Sequence, residues 1–152
     1  MKIRILTLTA ALALGMATAA QAHVTVRNLA NGVDSIAGKS DTFRLNVPTN
    51  RGKAITAVKM EMPKDSVLLF VHPVPGWKYS TTTNAEGQII GITYQGRMEA
   101  GEFISFPFIA KTPKSAVEPM KFRAWVTYED EVVVPFDGSE AAKGYQPTIQ
   151  LQ

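Results

Sequence analysis

From residue 23 onward, the sequence consists of short segments of alternating apolar and polar residues, separated by turn-forming residues. In residues 42–47, the side chains of Phe43, Leu45 and Val47 share one face, as in a half-buried strand. No segment has a persuasive helical period. We therefore expect an all-β fold, a single β-sandwich of immunoglobulin or cupredoxin-like type, with a small barrel as the competing architecture. The predicted strands are residues 24–26, 42–47, 54–62, 66–71, 77–81, 88–94, 103–110, 121–128, 132–136 and 148–151.

The first 22 residues have the three parts of a secretory signal peptide. Lys2 and Arg4 supply the positive start, and an apolar run follows. Ala20-Gln21-Ala22 is a small-x-small cleavage site. We therefore expect cleavage after Ala22 and export to the periplasm as a secreted protein. The mature chain would be one domain, residues 23–152, that begins with His23.

Composition excludes several classes of function. The formal charge of +3 falls to +1 when Lys2 and Arg4 leave with the signal peptide, which gives no reason to expect nucleic acid or an anionic membrane as a partner. Cysteine is absent, so thiolate nucleophiles, iron–sulfur clusters and blue-copper centres are excluded, and the fold must be stabilised by packing alone. The two histidines, His23 and His72, are too few for a three-histidine metal site within one chain.

A mature N-terminal His23 would carry two nitrogen donors in one residue, the α-amine and the ring Nδ1, spaced to chelate one metal ion. Such donors suit Cu(II), which favours nitrogen and oxygen ligands in tetragonal geometry. The predicted strand at Val24-Thr25-Val26 would fasten this terminus to a sheet and define the chelate. The alternative is that His23 is an idle terminal residue, as most are.

Several short motifs, taken in order, resemble the YcnI-like copper-binding domain family, and together they cover nearly the whole mature chain. The motifs are His23-Val24-Thr25-Val26 directly after the cleavage site, Arg44-Leu45-Asn46-Val47-Pro48, Pro75-Gly76-Trp77, Ile92-Thr93-Tyr94, Gly101-Glu102-Phe103 and Thr127-Tyr128. This resemblance implies an exported bacterial β-sandwich that binds one Cu(II) per chain through a histidine brace.

The resemblance also implies which residues bind the metal. The brace consists of the amine and imidazole of His23, and a carboxylate, here Glu102, completes the site. One carboxylate would offset half the charge of a divalent ion. The family also has a tryptophan beside the copper in a Val-Val-x-Trp segment, where this chain has Val133-Val134-Pro135-Phe136. Phe136 keeps an aromatic wall but lacks the indole N–H.

The implied function is copper homeostasis, as a carrier or chaperone rather than an enzyme. The implied partners are other periplasmic copper proteins or a membrane copper transporter.

Other candidate site residues are open at this point. His72 is either a loop residue packed on Trp77 or a second ligand, and Trp125 is a possible replacement for the missing tryptophan. Met98 is placed in the loop before Glu102, where its thioether would be available to Cu(I). Glu99 and Glu61 are alternative carboxylates, followed by Asp34.

Two other functions compete with copper transport. Copper-dependent polysaccharide monooxygenases also use an N-terminal histidine on a β-sandwich, but their brace needs a second histidine, for which His72 is the sole candidate. The other alternative is a metal-free binding or adhesion domain in which His23 is incidental.

Overall fold

The computed structural model describes residues 23–49 and 51–152. The predicted signal peptide, residues 1–22, and Asn50 lie outside these described residues. All regular structure in the described part of the chain is β, which confirms the predicted fold class. Over the same residues, no helix is long and apolar enough to cross a membrane.

Most of the strands lie where residue alternation predicts them. The strands are β1 (Thr25–Asn28), β2 (Asp34–Ser35), β3 (Ser40–Pro48), β4 (Ile55–Glu61), β5 (Val67–Val71), β6 (Lys78–Thr83), β7 (Ile89–Met98), β8 (Phe103–Lys111), β9 (Met120–Lys121), β10 (Arg123–Tyr128), β11 (Val133–Phe136) and β12 (Thr148–Leu151). The largest difference is in β7, which was predicted to end at residue 94 but continues through Gly96 to Met98.

The larger sheet is curled into two leaves. Its strand order is β1-β3-β8-β5-β7-β4-β10-β11, with β6 also pairing with β7. The junction between β5 and β7 is narrow, since Leu68 and Ile89 are its single registered pair. The sheet can therefore fold over at this point and pack its first leaf, β1-β3-β8-β5, against the second. Strands β2, β12 and β9 form a separate small sheet.

The core fills the space between the two leaves. Tyr94 of β7 stacks on Phe106 of β8, with ring centroids 4.0 Å apart. Phe122, which immediately precedes β10, contacts both Phe43 and Phe108 of the first leaf. These side chains are almost completely buried. Since the chain has no cysteine, this apolar burial is the main source of its stability.

The edges of the two leaves meet beside the start of the domain. β1 and β11 end the strand order and do not pair with each other, so the described sheet is open and the competing barrel architecture is wrong. Tyr145, from the segment after β11, bridges the two edges. Its hydroxyl donates to the carbonyl of Val24, and its ring contacts Phe136 of β11. His23 lies at this junction.

Candidate metal centre

The His23 side chain is solvent-exposed and stands between two aromatic rings. Its ring centroid is 4.2 Å from that of Tyr145, with the planes tilted by 33°. The ring of Phe136 is 6.4 Å away and nearly perpendicular to the imidazole. The aromatic wall expected at Phe136 is thus present beside His23, and Tyr145 adds a second aromatic contact.

The backbone directly after His23 is firmly held. Val24 is only 1% exposed, and the Tyr145 hydroxyl donates to its carbonyl over 2.8 Å. Burial raises the pKa of Tyr145, so the hydroxyl keeps its proton and remains a donor at neutral pH. One residue further on, Thr25 pairs with Asn46 of β3. An exposed imidazole is therefore attached to a fixed stretch of backbone.

His23 lines a cleft of about 490 Å³. Its walls combine apolar side chains with two cationic ones, Arg51 and Lys143. None of the described residues that line it carries a carboxylate. The other lining residues are Val134, Pro135, Phe136, Ala141, Ala142 and Tyr145.

Glu102, the other predicted ligand, lies at the same end of the first leaf as His23. Thr25 of β1 lies opposite Asn46 of β3, and continuing this register by two residues brings His23 level with Pro48. Pro48 in turn pairs with Phe103, the residue after Glu102. Two strand spacings, about 10 Å, separate β1 from β8, so His23 and Glu102 precede strands that are not adjacent. The Glu102 carboxylate is turned toward its own loop, where it accepts the Glu99 N–H over 3.0 Å.

The carboxylates around this end of the molecule are held mostly by cations. Asp130 pairs with Arg51, and Arg97 pairs with both Glu99 and Glu129. The hydrogen bond from Arg97 is the main cause of the lowered pKa of Glu129, which keeps this carboxylate ionised. Over residues 23–49 and 51–152, no group of three or more His, Asp or Glu side chains is arranged to hold a metal ion.

His72 is far from His23. The backbone N–H of His72 donates to the carbonyl of Pro107 on β8. Pro107 is paired with Arg44 of β3, and Arg44 is paired with Arg27 of β1. His72 is therefore three strands across from β1, about 14 Å at the usual spacing, and level with a residue four positions beyond His23. The two imidazoles are too far apart to bind one metal ion.

Two further candidates are also separated from the cleft. Trp125 pairs with Pro135, whereas Phe136 pairs with Ala124, so Trp125 and Phe136 point to opposite faces of the second leaf. Trp125 therefore does not replace the missing tryptophan. Met98 is not a loop residue: it ends β7 opposite Ile55 and is 4% exposed within the core.

The alternative carboxylates are engaged elsewhere. Glu61 forms ion pairs with Lys59 and Arg123, and Asp34 accepts a hydrogen bond from the side chain of Gln152. Glu99, as described above, pairs with Arg97.

Sequence reasoning did not identify Tyr145, Arg51 or Lys143 as neighbours of His23. Tyr145 is 121 residues from the carbonyl that it contacts, in a segment without strand alternation. Arg51 and Lys143 lie in turns whose composition is that of ordinary solvated surface. No local pattern marks these three residues, because the curling of the sheet brings them together.

Solved structures similar to this chain support the sandwich architecture. An uncharacterised Nocardia farcinica protein with an immunoglobulin-like fold matches 85% of this chain and 97% of its own, with a TM-score of 0.67 and 23% identity. A cohesin module of a family 33 glycoside hydrolase from Clostridium perfringens covers 85% of this chain and 96% of its own, with a TM-score of 0.51 and 12% identity. At these identities the likeness concerns the fold alone, and it confirms the immunoglobulin-like form of the prediction.

Sequence comparison goes further than fold. The copper-binding protein CutI of Bacillus subtilis (strain 168) is 33% identical over 126 residues, which cover 81% of this chain and 59% of CutI. The chain therefore spans about three-fifths of the length of that relative. A family model described as a domain of unknown function, DUF1775, matches residues 23–149, a region that begins at His23. The chain belongs to the DUF1775 family, which confirms the resemblance to YcnI-like copper-binding domains that its motifs indicated.

Proposed function

We propose that this protein binds one Cu(II) ion through His23 and Glu102 and carries copper in the periplasm, after removal of residues 1–22. The observation that carries the proposal is the contrast between the exposed His23 imidazole and the anchored backbone directly behind it. Such an anchor favours a chelate formed by the α-amine and Nδ1 of one residue, because a disordered terminus would lose more conformational entropy on binding. The relative CutI is named a copper-binding protein, which supports copper as the metal.

The donor set fits Cu(II) chemically. An amine and an imidazole are neutral nitrogen donors, and a carboxylate adds oxygen and negative charge. Glu102 would have to release the Glu99 N–H and rotate toward His23, at the loss of one exposed hydrogen bond, about 1 kcal/mol. Three protein donors leave a coordination position open, which suits a carrier because a ligand from an acceptor can enter there.

The decisive experiment compares Cu(II) titrations of two proteins by calorimetry and electron paramagnetic resonance. One begins at His23, verified by mass spectrometry, and the other has a single extra alanine before His23. The extra residue keeps the imidazole but moves the amine. We expect tight one-to-one binding only with the free His23 amine. Equal binding by both proteins would place the metal elsewhere and refute the brace.

The role of Glu102 is tested separately with Glu102→Gln, which keeps the size and the polar contact but removes the charge. We expect weaker Cu(II) binding and a changed spectrum. The matched control is Glu86→Gln, in the exposed turn between β6 and β7, which should bind Cu(II) like the wild type. If Glu102→Gln also binds like the wild type, Glu102 is not a ligand, and the brace itself is unaffected.

Carriage is the further step from binding to function. It predicts that the copper-loaded protein transfers Cu(II) to a periplasmic acceptor faster than the acceptor takes up copper released into solution. A transfer rate equal to the rate of spontaneous release would leave storage or buffering as the function.

A further inference from the structure

The His23 cleft has a charge that is unusual for the surroundings of a cation. Both formally charged side chains that line it, Arg51 and Lys143, are positive, and none of the described lining residues is acidic. A Cu(II) ion on His23 would add two further positive charges, and the brace nitrogens are neutral. Even with Glu102 as a ligand, the loaded cleft would keep a positive charge, which attracts an anion.

Both cations make defined contacts, Lys143 through its backbone and Arg51 through its side chain. Lys143 lies in a turn closed by hydrogen bonds from Lys143 N–H to the Glu140 carbonyl and from Gly144 N–H to the Ser139 carbonyl, both 2.9 Å. The Arg51 guanidinium lies 4.9 Å from the centroid of the Tyr128 ring, and one of its nitrogens pairs with Asp130 at 3.4 Å. A guanidinium has five N–H donors, so this pair leaves others for a ligand in the cleft.

We propose that the His23 cleft binds a carboxylate group beside the copper ion, held by Arg51 and Lys143, as the ligand that occupies the open coordination position. This inference rests on the proposed function and specifies the chemistry of the entering ligand. The carboxylate would belong either to a small organic acid or to an acidic side chain of an acceptor protein. In both cases the guanidinium and ammonium groups orient the oxygens, and the oxygens offset the charge of the metal.

Acetate is the first probe, because it has a single carboxylate and binds copper weakly by itself. Acetate is titrated into copper-loaded protein with a free His23 amine, followed by the visible and electron paramagnetic resonance spectra. We expect a saturable spectral change. Arg51→Gln and Lys143→Gln should each raise the midpoint by about two- to fivefold, the range for one exposed ionic contact. A capped peptide with one aspartate distinguishes the sources: a lower midpoint than that of acetate indicates a protein ligand.

Two control variants separate charge in the cleft from other effects. Asp130→Asn removes the acidic partner of Arg51, while Arg51 keeps its positive charge, so the acetate midpoint should stay unchanged or fall. Lys114→Gln removes a positive charge beyond the opposite end of β8 and should have no effect. In the absence of any carboxylate, Arg51→Gln and Lys143→Gln should bind Cu(II) more tightly than the wild type, because they repel it less. A merely structural role for these residues does not predict effects of opposite sign.

The outcomes distinguish this inference from the proposed function. If Cu(II) binds to the free His23 terminus but acetate causes no saturable change, or if the two cation variants keep the wild-type midpoint, only the carboxylate site is refuted. If the protein with a free His23 amine takes up no Cu(II), the proposed function fails and the carboxylate site fails with it.

Discussion

Tyr145 provides the sharpest test of how the proposed metal site is supported, because a single atom can be removed from the contact. Tyr145→Phe deletes the hydroxyl that donates to the Val24 carbonyl over 2.8 Å but keeps the ring that packs against His23 and Phe136. We expect the variant to fold, with the backbone beside His23 held less firmly. The perturbation therefore separates anchoring of the backbone beside His23 from the aromatic contacts of the His23 side chain.

The magnitude follows from the burial of the acceptor. Val24 is 1% exposed, so the carbonyl that loses its partner has poor access to water. Deleting one partner of such a hydrogen bond costs about 1–2 kcal/mol in the free energy of unfolding. For a domain of this size, each kcal/mol corresponds to a fall in Tm of about 4 °C.

The assay is urea and thermal unfolding of the metal-free protein at pH 7, followed by circular dichroism. Burial raises the pKa of Tyr145 above its ordinary value of about 10, so its contribution is fully present at pH 7 and is lost only as the pH rises above that value. Tyr79→Phe is the matched control, since Tyr79 is 47% exposed and Phe keeps its ring contact with Tyr94. Equal stability of Tyr145→Phe and the wild type would refute the anchoring argument. Unchanged Cu(II) affinity in a destabilised Tyr145→Phe would instead show that anchoring contributes to the fold and not to the chelate.

Three further predictions concern other parts of the molecule. Tyr94 is buried and, within the described structure, its hydroxyl has no hydrogen-bond partner, so Tyr94→Phe should stabilise the protein by about 1 kcal/mol at pH 7. Because burial raises the pKa of Tyr94, the wild type should lose stability as the pH rises above about 10, and Tyr94→Phe should lose less; identical alkaline profiles in urea would contradict this. Gly96→Ala should destabilise by about 1–3 kcal/mol, since its Cβ would lie 2.5 Å from the Trp77 ring, and a neutral result in thermal unfolding would mean that the indole moves freely. His72→Ala should bind Cu(II) as tightly as the wild type by calorimetry, and a loss of affinity would return His72 to the site.

Alternation predicted the parts of the fold in which one strand face is buried. Along β3, Phe43, Leu45 and Val47 are each 0% exposed, as their spacing indicated. The sequence did not predict β2 and β9 as separate strands, because two residues are too few to show a period. β7 was predicted too short, ending at residue 94, because a glycine such as Gly96 is uncommon within a strand. In the structure Gly96 is a strand residue whose missing side chain makes room for Trp77.

The proposed metal site could be inferred from the sequence to the extent that its chemistry is contained in one residue. A terminal histidine supplies two donors whose spacing is covalent, so His23 could be proposed without knowledge of the fold. Glu102 came from a family motif, and its distance from His23 depends on the order of β1, β3 and β8, which no local pattern encodes. His72 illustrates the same limit. The sequence offers it as a second ligand because it is the other histidine of the chain, but the strand order places it far from His23.

The surroundings of His23 were unpredictable for a physical reason. Arg51 follows β3, and Lys143 and Tyr145 follow β11, so their proximity to His23 requires that the two edges of a curled sheet meet. Turn residues such as Arg51 and Lys143 have no alternation, because neither side of a turn is uniformly buried. Their sequence context is therefore the same whether they line a cleft or face bulk water. In a metal carrier this difference affects function: the ligands fix which ion binds, while the charges around the open position determine which chemical groups can approach it and remove the ion.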